Sequence, residues 1–179
     1  MNLKAIPESL SKMADSSMQM CSLQDVLRTG DNLQNYFTEV TVNYKQVIEH
    51  NKRIGISSSG DAYDVLRKLW SDRIDHVEEF VILLLDRANC LLGWSHISTG
   101  GISGCVADLR VIFQTSLKAN ATSIIAAHNH PSGNLKPSES DLVLTRKIKE
   151  SDDLMDIKLL DHLIISNESY YSFSDEGII

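Results

Sequence analysis

Apolar and polar positions divide the chain into a polar opening stretch and a longer region of alternating strand-like and helix-like patterns. Leu3, Ile6 and Leu10, and then Leu23, Val26 and Leu27, recur at helical spacing, with Gly30 placed to end the second segment. Residues 38–45 alternate Val40, Val42 and Tyr44 against polar neighbours, the mark of a half-buried strand, and 54–56 reads as a short second strand. Ser57 to Asp61 resembles a helix start, and Ala62, Val65, Leu66, Leu69 and Trp70 carry an amphipathic stripe to about Asp72. Residues 78–85 are apolar on both faces, as in a central strand, and a hairpin through 86–89 leads to a strand over 90–97. A glycine-rich loop over 98–104 precedes a second amphipathic helix over 108–118, with Leu109, Ile112, Phe113 and Leu117 on one face. An apolar strand ending in two histidines follows, then a helix from Glu139 to about Glu150, a strand over 159–166 and a last short strand over 170–174. Hairpins and helices mixed without strict alternation predict an α+β fold, a mixed sheet packed with helices.

A length of 179 residues suits one compact domain with an extension, divided here into 1–56, of short helices and a strand, and 57–179. The net charge of −7 and the lack of a Lys/Arg run disfavour nucleic acid as a partner, because phosphate backbones are met by basic faces. Cys21, Cys90 and Cys105 are odd in number and widely spaced, which points to reduced thiols in a cytoplasm. No run approaches the ~18 apolar residues of a membrane span, and Met1 onward lacks an apolar signal core. No membrane association is therefore expected, and the pattern leaves the oligomeric state open.

The chemistry concentrates in residues 124–141, IIAAHNHPSGNLKPSESD. His128 and His130 stand two apart at the end of a strand, so both imidazoles face one way. Pro131, Ser132, Gly133, Asn134 and Pro137 form a loop that cannot continue the strand. Ser138 and Asp141 then open a helix, where they also suit a reciprocal cap. Two imidazoles and one carboxylate, with room for a water, form a ligand set for a catalytic zinc ion. The glycine-rich loop lacks the Gly-x-x-x-x-Gly-Lys pattern of a phosphate cradle, so it is read as the border of a substrate cleft. His128-Asn129-His130 spells HNH, but the nuclease motif of that name is spread over a longer unit, so the match is only one of spelling. His50, His76 and His96 have no partner pattern.

His128-x-His130, then Ser138 and Asp141 at the spacing found here, resembles the JAMM signature of zinc metallopeptidases with the JAB/MPN fold. The longer string HNHPSG, then PS and D, with Asp161-His162-Leu163-Ile164-Ile165 downstream, resembles more narrowly the RadC branch, over residues 57–179. The resemblance implies a curved mixed sheet flanked by helices, the JAB/MPN or cytidine-deaminase-like architecture. It implies one zinc per chain held by His128, His130 and Asp141. It also implies an upstream acid–base glutamate at the start of an apolar strand. Glu78 and Glu79 both stand there, and the branch pattern Glu-x-Phe selects Glu78. Ser138 is the candidate donor to an oxyanion, alongside its role as a cap. His162 is expected beyond the ligand set, as a hydrogen-bonding core residue. Where the branch often carries a His-Pro-Arg-type string, this chain has Ala107-Asp108-Leu109-Arg110.

The expected activity is metal-assisted cleavage of a peptide or isopeptide bond by an activated water. The competing reading is a DNA-repair accessory protein or nuclease, as the RadC association suggests. Acidity counts against it, as does the lack of a Gly-x-Gly hairpin in residues 1–36. A metal-free scaffold is disfavoured by the complete ligand motif.

Overall fold

The computed structural model describes residues 23–30, 32, 48–49, 52–101, 104 and 106–179. The helix expected on Leu3, Ile6 and Leu10 and the strand expected over 38–45 lie outside these residues, as do Cys21, His50 and Cys105. The chain divides into two compact units, Met1–Thr41 and Val42–Ile179. In the first, α1 (Leu23–Thr29) forms where Leu23, Val26 and Leu27 predict it. Gly30 follows it with a φ of 69°, the left-handed conformation that ends helices and that glycine adopts without a Cβ clash.

The second unit contains α2 (Ser59–Leu69), β1 (Glu79–Leu85), β2 (Leu91–Thr99), α3 (Leu109–Lys118), β3 (Ser123–Asn129), α4 (Glu139–Met155), β4 (Lys158–Ile165) and β5 (Tyr170–Ser172). The five strands form one sheet in the order β2-β1-β3-β4-β5. Only β3 and β4 run parallel, joined through α4; every other neighbouring pair is antiparallel. This is the mixed α+β arrangement that the pattern predicts. Among the described residues no helix is long and apolar enough to cross a membrane.

Side-chain alternation along β1 and β3 divides the core in two. Phe80, Ile82, Leu84, Ile124 and Ala126 pack with Ile112 and Phe113 of α3 and Ile148 of α4. Val81, Leu83, Leu85, Ile125 and Ala127 pack with Ala62 and Leu66 of α2. Both central strands are buried at every position, because helices cover both faces of the sheet. Each large apolar side chain so enclosed contributes about 1.5–3 kcal/mol, which makes β1 and β3 a stiff floor for whatever stands at their ends.

Element ends differ from the expected ones for local reasons. β2 runs to Thr99, two residues into the expected loop, because Ser98 and Thr99 still pair with Phe80 and Glu79 beyond a bulge. β5 stops at Ser172, where the chain turns and Phe173 is sealed into the core. Residues 54–56 make only an isolated bridge, Gly55 to Cys90. α4 continues past Glu150 to Met155 and ends at Asp156, which has a φ of 53°.

The buried stripe of α4 is Asp141, Thr145, Ile148 and Asp152, mostly polar. Asp152 joins the helix to β4: its carboxylate accepts from the Leu159 amide at 3.1 Å, Lys158 Nζ at 3.2 Å and Lys149 Nζ at 3.1 Å. Burial pushes its pKa up, but these donors outweigh burial and hold it below the ordinary 3.8. A lowered folded-state value means the charge stabilises the fold above 3.8 and loses that contribution as pH falls further, through the folded value. Asp152→Ala strands the Leu159 amide and is expected to cost about 1–3 kcal/mol at neutral pH. Denaturant titrations should show the gap to wild type narrowing below pH 3.8.

Candidate metal centre

Three elements converge on one point. β3 places His128 opposite Phe80 of β1 and Ile164 of β4. The chain stays extended for one more residue, and the His130 amide donates to the Ile165 carbonyl at 3.4 Å. The two rings therefore share a side, with their Nε2 atoms 3.1 Å apart. Asp141, in the first turn of α4, brings Oδ1 to 3.2 Å from His128 Nε2 and Oδ2 to 3.6 Å from His130 Nε2. All three donor atoms lie within 4.8 Å of one another. Bonds of about 2.0–2.2 Å at tetrahedral angles separate ligand atoms by roughly 3.3–3.6 Å, so the spacing suits one small cation.

Each side chain is held from behind. Ser138 is the N-cap of α4, and its amide and hydroxyl donate to Asp141 Oδ2 at 2.7 and 2.6 Å. This reciprocal cap aims the carboxylate at the histidines, so capping and ligation use the same two residues. The Gly133 amide donates to the His130 carbonyl at 2.9 Å, closing a turn with Pro131 at its second position. Gly133 has a φ of 73°, and the turn swings the Asn134 carbonyl to 2.5 Å from His130 Nδ1. His128 Nδ1 stands 2.9 Å from Nε2 of His162, whose own Nδ1 is 2.6 Å from the Thr145 hydroxyl. His162 is fully buried and stacks on Phe173, with ring centroids 4.8 Å apart.

The electrostatics follow from these contacts. The acceptor Asp141 beside it raises the pKa of His130 against the opposing effect of burial; the Asn134 carbonyl and the charges of Asp141 and Glu78 raise it further. Burial works to raise the pKa of Asp141, yet its contacts with His128, His130 and Ser138 hold it far below the carboxylate range. Asp141 is therefore an anion at any physiological pH. Burial pushes His162 well below the ordinary imidazole value, so its ring is neutral.

Glu78 lines the same cavity as His130, Ser138 and Asp141, whereas Glu79 does not. Successive residues at the strand entrance face opposite ways. Glu79 is 2 % exposed and engaged by Ser71 Oγ at 2.7 Å and Arg73 Nη2 at 2.6 Å. Asn129, between the two histidines, points away from them. Its side-chain amide donates to the carbonyls of Ile74 and Val77 at 2.6 and 2.8 Å, and its Oδ1 accepts from the Glu79 amide at 2.7 Å. The middle letter of the misleading HNH string thus ties down the loop that delivers Glu78.

The cavity measures about 490 Å³, within the usual range for small-ligand sites. Its polar lining includes Glu78, His130, Ser138, Asp141 and Lys147, and Val106, Ala107, Leu109, Val143 and Leu144 are its apolar lining. Gly104 borders it, as expected of the glycine-rich loop. His76 is exposed, and His96 stands apart from the triad, 3.0 Å from Thr99 Oγ1. Asp161 stays with β5, accepting from Ser172 Oγ at 2.6 Å and the Ser174 amide at 3.0 Å. Sequence reasoning missed Thr145, Asn129 and the Asn134 carbonyl. Only Thr145 carried a signal: it lies one helical turn after Asp141, on the same face.

The chain is similar to known proteins over most of its length. The model of the RadC-like JAB domain matches residues 56–178. A UPF0758 protein of Flavobacterium johnsoniae is 44% identical over 123 residues, covering 69% of this chain and 53% of that protein. A UPF0758 protein of Porphyromonas gingivalis is 37% identical over 132 residues, covering 73% of this chain and 57% of that one. A third UPF0758 protein, from Aquifex aeolicus, is 29% identical over 182 residues, covering 98% of this chain and 76% of its own length. The chain thus spans only a little over half the length of the first two relatives. With that match and with two histidines and an aspartate gathered at the end of a mixed sheet, the chain belongs to the RadC-like JAB domain family.

Proposed function

We propose that this domain is a zinc-dependent hydrolase acting on an amide bond, peptide or isopeptide, by means of an activated water. The observation that carries the reading is the convergence of one donor atom each from His128, His130 and Asp141 within 4.8 Å of one another, beside a cavity that Glu78 also lines. His128, His130 and Asp141 would hold the ion with three protein ligands and leave room for a water, the pattern of catalytic rather than structural sites. When bound, zinc supplies Lewis acidity that lowers the pKa of a water to about 7 and polarises a carbonyl.

The remaining chemistry belongs to the chain. Glu78 takes a proton from the attacking water and returns it to the leaving nitrogen. The C–N bond breaks, the acyl carbon gains the water's oxygen, and the amine leaves protonated. The Ser138 hydroxyl, bonded to Asp141 Oδ2 at 2.6 Å, is the nearby donor that can turn toward the oxyanion. A lining with five apolar residues and one lysine suits a peptide-like ligand better than a phosphate backbone, which needs several cations. Cys90 is a free thiol, which suits the reducing cytoplasm proposed as the protein's location.

The test is hydrolysis by metal-stripped and zinc-reloaded protein, measured on peptide and isopeptide libraries and on duplex and single-stranded DNA. Zinc-restored cleavage of an amide substrate is the expected result. Zinc-dependent cleavage of DNA alone would replace this reading with a nuclease.

A further inference from the structure

We infer that His162 and Thr145 are positioning residues that set the tautomer of His128, so that its Nε2 lone pair faces the metal site. The inference rests on the metal reading above but follows from a separate chain of hydrogen bonds. That chain begins at a group of fixed polarity. The backbone carbonyl of Asp141 can only accept, and Thr145 Oγ1 lies 2.6 Å from it. The single hydroxyl proton of Thr145 is therefore committed there. Its oxygen is left to accept from His162 Nδ1 at 2.6 Å, so that nitrogen carries the ring proton.

His162 is fully buried, with Phe173 stacked on it and Phe80 tilted against it at 5.6 Å. Among the described residues its ring nitrogens meet His128 and Thr145, and no carboxylate hydrogen-bonds to the ring. A charged ring there would be costly, so it is neutral and has one proton only. Its Nε2 is then bare and accepts from His128 Nδ1 at 2.9 Å. In neutral His128 with its proton on Nδ1, Nε2 is bare as well, and that is the atom 3.2 Å from Asp141 Oδ1. The opposite polarity would need a buried imidazolium and would put a hydrogen on the ligating atom.

The device closes on itself. Asp141 gives its carboxylate to the site and its carbonyl to the relay that orients His128. His130 reaches the same state in one step, its Nδ1 donating to the Asn134 carbonyl. Two bare imidazole nitrogens facing each other at 3.1 Å repel unless a cation or proton lies between them. The relay thus presets lone pairs for a cation, sparing the reorganisation that metal uptake would otherwise need.

The test uses the full chain. In metal-free, nitrogen-15-labelled wild type at pH 8, long-range proton–nitrogen correlations should show His128 protonated on Nδ1 and bare on Nε2. A proton on Nε2 of His128 would overturn the inference. Chelator competition should then show zinc affinity falling about 10–100-fold in Thr145→Val and staying near wild type in Thr145→Ser. His162→Phe, which keeps an aromatic ring between Phe80 and Phe173, should match Thr145→Val. Unchanged zinc affinity in a folded Thr145→Val would equally overturn it. A wild type that binds no zinc would defeat the metal reading, while the tautomer spectrum would still decide this one.

Discussion

Asp141→Ala is expected to take bound zinc from about one ion per chain to almost none. The carboxylate is the only anionic donor of the three, and its removal leaves two neutral nitrogens 3.1 Å apart to hold a dication. Loss of an orienting contact alone costs a metal site about 10–100-fold in affinity, and loss of a ligand costs more. The substitution also removes the Asp141 half of the reciprocal cap of α4, while Ser138 Oγ keeps the amide at position 141 as its donor. His128→Ala separates the two effects, because His128 lies in β3 and takes no part in the cap. Elemental analysis of the two purified variants, with circular dichroism to confirm folding, reads the outcome. Stoichiometric zinc retained in both would defeat the ligand assignment.

Glu78→Gln should keep the metal and lose the reaction. Gln preserves size and hydrogen bonding but cannot carry the proton between water and leaving nitrogen. General acid–base catalysis contributes about 10²–10⁴-fold, so turnover should fall by that much with zinc content unchanged. Glu79→Gln is the matched control. Glu79 is buried against Arg73 and Ser71, away from the cavity, so its loss should lower stability with little effect on turnover of the folded protein. Full activity in Glu78→Gln would remove Glu78 from the mechanism, and equal losses in both variants would point to a structural role for the strand entrance.

What the sequence made legible follows from range. β1 is apolar at every position after Glu79 and β3 carries the apolar run Ile124 to Ala127, and such patterns are local, so both strands were readable near their observed places. His128 and His130 share a face by strand geometry, and Ser138 and Asp141 share a cap by helix geometry; each needs only a few residues to specify. That the two pairs meet depends on the sheet and α4 together, and beforehand it was an expectation from the loop that returns the chain toward the histidines and from the resemblance. The C-terminal half of α4 was hard to see because its buried stripe is Asp141, Thr145, Ile148 and Asp152. A hydrophobic period cannot reveal a face whose burial is satisfied by hydrogen bonds to a histidine and two lysines.

The relay behind His128 was legible only in outline. His162 lies 34 positions from His128 and 17 from Thr145. Its place opposite Ala126 depends on a register shift between Ile124 and Ile125. No one-dimensional pattern carries a bulge in a parallel strand pair, so the roles of Thr145 and Asn134 emerge only from the folded arrangement.

The central claim is that His128, His130 and Asp141 hold one divalent cation with a position open to the cavity. A crystal structure of zinc-loaded protein, with anomalous scattering recorded across the zinc edge, tests it most directly. One peak is predicted, about 2.0–2.2 Å from Nε2 of each histidine and from an Asp141 oxygen, with a solvent ligand on the Glu78 side. A triad without a peak at saturating zinc, or zinc held by other residues, would contradict it.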